Sequence, residues 1–434
     1  MERRRMNPVK DVKITINTSL ESLIKFSTKK KKYEVEVPSD CFGMLFRIEY
    51  DPDYYIRVIS DKDAGRFGFA ELDTEMGDYI AGSEVPYYEY YDGYVVRLDK
   101  REACFEQDLE VVIRIEAANM YDSGETYEIH VKRSSNLEIR SLFKEESFYD
   151  EEFEINMPYE LYVPSKYDKK RKYPLVIGLH GTGEREEHVS AILKKMQMAT
   201  VWAEDSEKGI NECLVLAPQC TIRYDNEDNW TSLNQFIAGH SESPFWPMPQ
   251  LTVLWRLIEK LQKDYSIDDK RLYLIGVSSG GFGAYVMAIE HPKAFAGLVV
   301  ACGAANPARA AELKRTPMWI FHSEDDPLIV PSYTLEPTIQ ALDAAGAKYK
   351  LTKYPKGQVF WQSGHFCWEC VFKDEKMKEW LFQQRIGGWD SLVKKVKKNK
   401  PKKGGHEIST ETSEMAKKAI ASAGELKDIE KHYK

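Results

Sequence analysis

The feature that most constrains the fold is a series of short, nearly uninterrupted apolar runs beyond residue 140. Between them lie segments with apolar residues at helical spacing, such as 251–265 and 332–345. Apolar runs of this length are typical of strands covered by helices on both faces. Strands that alternate with helices predict an α/β fold with a doubly wound, mostly parallel sheet. The predicted strands are 173–180, 213–218, 271–276, 298–303, 317–322 and 349–354.

Residues from about 30 to 135 follow a different pattern, in which apolar and polar residues alternate one by one. Period-2 patterning with Gly, Asp and Pro breaks predicts short strands and an all-β sandwich of about 100 residues. We predict an immunoglobulin-like module, although the Cys…Trp…Cys signature of true immunoglobulin domains is missing. The alternating segments are 33–37, 45–50, 94–98, 111–115 and 127–131.

These patterns predict three parts of the chain. The β-sandwich occupies residues 1–139, the α/β domain occupies 140–390, and a polar tail occupies 391–434. Residues 394–403 of the tail hold seven lysines and no acidic residue. We interpret this run as a solvated tail, because charge runs of this kind usually serve solubility.

The third apolar run leads into Gly276-Val277-Ser278-Ser279-Gly280, a G-x-S-x-G motif, and a helical segment follows at 283–289. Such a strand-to-helix turn is sharp and needs small flanking residues. It raises the serine hydroxyl above the sheet and points the next backbone N–H at a forming oxyanion. The motif therefore predicts Ser278 as a nucleophile and Ser279 as a backbone donor in an oxyanion hole.

A second oxyanion donor is predicted in His180-Gly181-Thr182-Gly183, which follows the first apolar run. In folds with this nucleophile turn, the loop after that strand supplies the other N–H group. Small residues let the backbone approach the substrate. We predict that the N–H of Thr182 is this donor.

A serine nucleophile needs an acid and a histidine, in the chain order Ser, Asp or Glu, His. Glu324, Asp325 and Asp326 follow the fifth apolar run, and we predict Asp326, with Asp325 as the alternative. His365 is the only histidine between Asp326 and the C-terminal tail. We predict that His365 takes the proton from Ser278 as general base while Asp326 orients it.

Three tryptophans are candidates for a substrate pocket, namely Trp230, Trp246 and Trp361. The first two lie in a long insertion between a strand and a helix, where pockets are often shaped; packing beneath a loop is the alternative. Cys367 and Cys370 form a C-x-x-C pair, which lacks the context of a redox motif and the further ligands of a zinc site. We expect no metal and no cofactor.

Several segments resemble the esterases called "predicted peptidases", which are related to the polyhydroxybutyrate depolymerase and feruloyl esterase group. The resemblance covers roughly residues 145–386. It implies an α/β-hydrolase fold, carboxylic-ester hydrolysis and a triad of Ser278, Asp326 and His365. Some members of the family carry an N-terminal immunoglobulin-like domain. The similar segments are 157–159, 172–176, 180–185, 217–220, 269–273 and 363–365.

The sequence departs from the family pattern at three places. Ser279 stands where methionine is common, Glu186–His188 replace the usual Gly, Ser and Asp, and Phe366 replaces a small polar residue. These departures bear on substrate preference more than on mechanism.

Three functions follow as alternatives. The first is a serine esterase acting on small acyl or aryl esters, including feruloyl or acetyl groups on carbohydrate. The second is a peptidase with the same triad, and the third is a protein that binds carbohydrate or a partner and has an inactive hydrolase domain. The complete and ordered triad supports the esterase and argues against the inactive binding protein. Nothing in the sequence separates an ester leaving group from a peptide one.

Net charge, apolar runs and cysteine content limit the kinds of partner and the cellular location that we expect. A net charge of −8 argues against nucleic acid as the main partner, and no apolar run approaches the roughly 20 residues that span a bilayer. No apolar segment follows the basic start of the chain, so we expect a cytoplasmic protein, or a secreted one if a signal has been removed. Seven scattered cysteines fit reduced thiols. The sequence leaves three roles open for the sandwich: covering the active site, binding glycan, or forming a homo-oligomer.

Overall fold

The computed structural model describes most of the chain up to residue 387. Its first compact unit is Met1–Ile386, and its second, Gly387–Lys434, lies outside the described residues except for Gly387. No helix in the described part has the length and apolar character needed to cross a membrane. The described residues are 8–16, 24–27, 29–37, 43–60, 94–97, 109–120, 122–133, 137–182, 193, 197–221, 233, 235–239, 245–356, 358–359 and 364–387.

The N-terminal part contains two small sheets. One has the strand order β1-β3-β5 and the other β2-β7-β6-β4. All pairings are antiparallel except the parallel pairing of β2 with β7. The strands are β1 (Val9–Ile16), β2 (Lys32–Val37), β3 (Gly43–Tyr50), β4 (Tyr55–Ser60), β5 (Tyr94–Arg97), β6 (Leu109–Asn119) and β7 (Asp122–Arg133).

The two small sheets share one hydrophobic core, which makes them a β-sandwich. Alternate residues of β6, such as Ile113 and Ile115, are fully buried, as period-2 patterning requires. They belong to the same buried cluster as Val12 and Phe46 of the other sheet. The predicted sandwich is confirmed, while β1 and β4 are strands that the sequence pattern did not predict.

The C-terminal part is built on one eight-stranded sheet with the order β15-β14-β13-β12-β10-β11-β9-β8. Only β9 runs antiparallel to its neighbours, and the remaining pairs are parallel. The predicted doubly wound, mostly parallel sheet is therefore confirmed. Its strands are β8 (Phe143–Asp150), β9 (Ile155–Tyr162), β10 (Tyr173–Leu179), β11 (Leu214–Pro218), β12 (Ile267–Val277), β13 (Gly297–Ala301), β14 (Met318–Ser323) and β15 (Tyr349–Tyr354).

Helices cover both faces of this sheet, because its central strands are apolar on both sides. Leu272 and Leu274 of β12 belong to one buried cluster, while Tyr273 and Ile275 belong to the other. The helices are α1 (Leu137–Arg140), α2 (Thr200–Glu207), α3 (Met248–Asp264), α4 (Ser279–Glu290), α5 (Leu335–Ala345), α6 (Trp368–Val371) and α7 (Glu375–Gln383), with 3₁₀ turns at Pro307–Arg315 and Gly364–Phe366.

The hairpin of β8 and β9 is a structural finding that the apolar-run pattern did not predict. β8 lies at the edge of the sheet, and its residues Lys144–Ser147 are exposed. An edge strand with one open face does not need a continuous apolar run. Its sequence therefore lacks the signal that marks the central strands.

Candidate active site

Ser278 lies at the sharp turn between β12 and α4. Its backbone has φ 52° and ψ −122°, a strained conformation for a residue with a side chain. The turn is closed because Gly276 and Gly280 have no side chains. A Cβ on Gly276 would lie 2.2 Å from the carbonyl oxygen of Gly280, and one on Gly280 would lie 2.0 Å from that of Leu179. The strain and the crowding are those expected of a nucleophile turn.

His365 faces Ser278 from the loop beyond β15. Its Nε2 lies 3.0 Å from Oγ of Ser278, and its Nδ1 lies 2.9 Å and 3.1 Å from the carboxylate oxygens of Asp326. A carboxylate only accepts hydrogen bonds, so Nδ1 carries the proton and Nε2 is left to accept one. All three side chains are buried. The structure therefore brings the serine, the imidazole and the carboxylate into one hydrogen-bonded chain.

Asp326 rather than Asp325 faces the imidazole. Oδ1 of Asp326 also accepts the backbone N–H groups of Leu328 and Ile329, at 2.9 Å and 2.8 Å. The carboxylate of Asp325 instead accepts the hydroxyl of Ser323 at 2.5 Å. These contacts give the two neighbouring acids different directions and different partners.

Gly364 lets the His365 loop approach the acidic loop. A Cβ at this position would lie 2.3 Å from Oδ1 of Asp325 and 2.8 Å from its carbonyl carbon. A larger residue would therefore push the imidazole away from Asp326. This close approach to Asp325 explains why a glycine precedes His365 in the sequence.

Ser279, the first residue of α4, follows the nucleophile directly. Backbone N–H groups in the first turn of a helix have no acceptor within the helix and attract negative charge. The hydroxyl of Ser279 donates to the carbonyl oxygen of His180 at 3.5 Å, a contact that ties the turn to the loop after β10. Thr182, on that loop, is exposed.

His180 fixes the start of this loop. Its Nε2 accepts the backbone N–H of Cys220 at 2.9 Å, so Nδ1 carries the ring proton and donates it to the carbonyl oxygen of Gly181 at 2.7 Å. The ring is fully buried. The imidazole therefore links the ends of β10 and β11 and orients the peptide that precedes Thr182.

Trp246, one of the pocket candidates, packs in the core, which is the alternative that the sequence left open. Its side chain is fully buried, its Nε1 donates to the carbonyl oxygen of His180 at 3.3 Å, and its ring packs against the His180 ring at 5.2 Å. A Cβ on Gly283 would lie 2.8 Å from the tryptophan. Trp246 supports the loop after β10 from within the core. Trp230 and Trp361 lie outside the described residues.

Cys302 is a buried neighbour of the triad that the sequence pattern did not single out. Its Sγ and ligand atoms of Asp326 and His365 all lie within 4.8 Å of one another, and no other such cluster occurs in the described part of the chain. Burial, followed by the hydrogen bond to Cys367, raises the pKa of the Cys302 thiol well above its usual range. A neutral thiol therefore lies beside the acid and the base of the triad.

The cysteines of the C-x-x-C pair are both in the reduced state. Cys367 is buried beside Cys302, and Cys370 is half-buried. Cys367 is hydrogen-bonded to Cys302, and both belong to one buried cluster of the large sheet.

The strand order, the single antiparallel strand and the serine turn after β12 define an α/β-hydrolase. Residues 151–398, more than half of the chain, match the family model named Esterase, whose description is "Putative esterase". The chain belongs to this esterase family, and its class of activity is the hydrolysis of carboxylic esters.

Two solved structures are similar to this chain. A thermostable esterase is 24% identical, and the match covers 82% of this chain and 99% of that esterase with a TM-score of 0.52. A ferulic acid esterase is 16% identical, and the match covers 53% of this chain and 98% of that chain with a TM-score of 0.38. The first likeness supports the fold. No curated protein sequence gives a match.

Proposed function

We propose that the esterase reaction proceeds through an acyl-enzyme on Ser278. Oγ attacks the ester carbonyl carbon while Nε2 of His365 takes the hydroxyl proton, and the same nitrogen then delivers that proton to the leaving alcohol. Water repeats the two steps and frees the acid. Asp326 holds the imidazole in the required tautomer. The continuous contact from Oγ to Nε2 and from Nδ1 to the carboxylate, 3.0 Å and 2.9 Å long, carries this proposal.

The oxyanion of the tetrahedral intermediate is assigned to the backbone N–H groups of Ser279 and Thr182. Ser279 supports this role because it begins α4 beside the nucleophile. Thr182 supports it because the His180 ring binds the carbonyl of the peptide that carries the Thr182 N–H, and Trp246 binds the carbonyl of the peptide before that one. Two fixed donors stabilise the developing charge without reorganisation.

The substrates that we assign are small acyl or aryl esters, including feruloyl or acetyl esters of carbohydrate. The family resemblance of the sequence supports this class. We also propose that the domain limits lie at residues 139 and 390 and that the sandwich is immunoglobulin-like.

Replacement of Ser278 by alanine tests the mechanism. We expect hydrolysis of p-nitrophenyl acetate to fall by about 10⁴-fold or more, because no hydroxyl remains to form the acyl-enzyme. A fluorophosphonate should label the wild-type protein and leave the Ser278→Ala variant unlabelled. Undiminished turnover by the variant would reject the assignment.

A panel of esters and matched peptides tests the substrate class. We expect turnover of acetyl and feruloyl esters and much slower cleavage of the corresponding amides. Faster cleavage of amides than of esters would make the protein a peptidase.

A further inference from the structure

The imidazole of His322 lies beside the carboxylate of Asp326, and the proposed mechanism does not use it. His322 belongs to β14 and is fully buried. Its Nε2 lies 2.7 Å from the carbonyl oxygen of Ile329 and 3.5 Å from Oδ2 of Asp326. This Oδ2 is also the oxygen nearest to Nδ1 of His365, at 2.9 Å. The two imidazoles therefore approach the same oxygen of the acid.

The contacts of His322 fix its protonation state. A carbonyl oxygen can only accept, so Nε2 of His322 carries a proton and donates it to Ile329. Burial lowers the pKa of His322, which favours the neutral ring. The other ring nitrogen, Nδ1, is buried and has no hydrogen-bond partner among the described residues. A second proton on this ring would therefore have no acceptor on the Nδ1 side.

Ile329 links His322 to the acid. The N–H of Ile329 donates to Oδ1 of Asp326 at 2.8 Å, and its carbonyl accepts from His322. Thr334 makes a weaker contact to the same carbonyl at 3.4 Å. His322 therefore holds the carbonyl group of the residue whose N–H group helps to set the direction of the carboxylate.

We propose that His322 is a positioning residue, which holds the turn from Asp326 to Ile329 so that the carboxylate faces His365. This inference rests on the proposed function, because it takes Asp326 as the group that orients the general base. His322 touches no substrate atom in this scheme and acts only through Asp326.

The charged groups around His322 define what its protonation would do. Asp326 and His365 face it on one side, and Lys353 of β15 is its register partner, with Glu324 3.8 Å from that lysine. A second proton would sit on Nδ1, while the N–H at Nε2 would stay bonded to Ile329 and 3.5 Å from Oδ2 of Asp326. The added positive charge would attract Oδ2, the oxygen that both imidazoles approach, and weaken the pairing of that oxygen with His365.

Two substitutions test the role of His322. His322→Leu introduces an apolar side chain of similar size and removes the N–H group that binds Ile329. His322→Gln instead retains a side-chain N–H group that reaches about as far. We expect kcat per active site to fall about ten-fold or more in His322→Leu, with KM for p-nitrophenyl acetate within about two-fold of the wild type. We expect His322→Gln to recover most of the lost kcat.

The pH profile separates positioning from a purely structural role. A less firmly oriented Asp326 stabilises the His365 cation less, so the acid limb of kcat/KM should move to lower pH in His322→Leu and stay in place in His322→Gln. Active sites are counted by fluorophosphonate labelling, so loss of folded protein does not count as loss of kcat. If His322→Leu does not fold, His322→Asn, whose donor lies too near the backbone to reach Ile329, replaces it with the same expected result.

An unchanged kcat per site and an unchanged acid limb in the donor-free variant would overturn the inference. Failure of glutamine to recover activity would overturn it as well. The Ser278→Ala variant separates a failure of the proposed function from a failure of the role given to His322. An active Ser278→Ala variant rejects the proposed function itself, whereas an inactive one together with a fully active His322→Leu variant rejects only the role of His322.

Discussion

At the scale of single residues, neighbouring side chains of the same type acquire different roles from their backbone partners. Asp325 and Asp326 are adjacent and chemically identical, yet one binds Ser323 and the other binds His365. The N–H groups of Leu328 and Ile329 hold Oδ1 of Asp326, which directs Oδ2 at the imidazole. Local backbone donors therefore decide which acid can orient the base.

Replacing each acid by asparagine tests this difference. In Asp326→Asn, the two N–H donors would keep the amide oxygen at the Oδ1 position and turn the amide NH₂ group toward Nδ1 of His365. The imidazole would then carry its proton on Nε2 and could not accept one from Ser278. We expect kcat to fall about 10³- to 10⁴-fold.

Asp325→Asn is the matched control, because its side chain binds a serine hydroxyl and not the imidazole. We expect a change in kcat of less than about ten-fold. Steady-state kinetics on p-nitrophenyl acetate measures both variants. Equal losses in the two would contradict the assignment of Asp326.

At the scale of elements, the connection between β12 and α4 depends on glycines that allow close backbone contact. In Gly280→Ala, the new methyl group would lie 2.0 Å from the carbonyl oxygen of Leu179, which is backbone and cannot rotate away. We expect a loss of about 3 kcal/mol or more in unfolding free energy, or failure to fold.

Gly209→Ala provides a control for backbone strain alone. Gly209 has φ +75°, and a Cβ there would meet nothing within 4 Å. We expect a loss of only about 1 kcal/mol. Denaturant unfolding measures both variants. A cost at Gly280 no greater than that at Gly209 would show that the turn can open without penalty.

Strand β9 carries a buried acid, Glu160, whose neighbour on β8 is Glu145. Burial, and then the charge of Glu145, raises the pKa of Glu160 to about 7. The folded protein therefore keeps a proton that the unfolded chain releases near its ordinary pKa of 4.5. The stability that comes from Glu160 is complete below that value and is lost as the pH rises through about 7.

Glu160→Gln should therefore stabilise the protein at alkaline pH, because glutamine resembles the protonated acid. We expect a gain of about 1–3 kcal/mol near pH 8 and a smaller gain near pH 5. Urea unfolding at the two pH values measures the effect. Glu145→Gln, at an exposed position, is the control and should change stability by less than about 1 kcal/mol. A gain that is equal at both pH values would contradict the raised pKa.

At the scale of the whole molecule, the described residues form separate hydrophobic clusters. One lies inside the sandwich, and two lie on the faces of the eight-stranded sheet. Ile113 belongs to the first, and Ile275 belongs to the large sheet. Separate cores suit the proposed limits of 139 and 390, because each domain would bury its own apolar surface.

Truncation of one core residue in each part tests this division. We expect Ile113→Ala to cost about 2–5 kcal/mol in the unfolding of the sandwich and to leave kcat per active site unchanged. We expect Ile275→Ala to cost a similar amount in the unfolding of the large sheet. Calorimetry should show that each substitution lowers a different transition. A single transition that moves equally in both variants would show that the two parts unfold together.

The sequence by itself determined the central strands, the nucleophile turn and the triad candidates. Strands covered on both faces must be apolar throughout, so 271–276 and 298–303 are visible as continuous runs. The turn at Ser278 has room only for glycine at 276 and 280, so the crowding of the turn is visible in the sequence as the G-x-S-x-G motif. Both signals arise within a few residues and need no knowledge of distant contacts.

Only the tertiary structure decided the features that depend on distant neighbours. The edge hairpin of β8 and β9 has no continuous apolar run, and Trp246 became a core residue because Gly283 and His180 pack against it. His322 lies beside Asp326 because β14 and the turn after it bring them together. The physical reason is that burial and hydrogen-bond partners are set by residues far apart in the chain, and a local pattern carries no record of them.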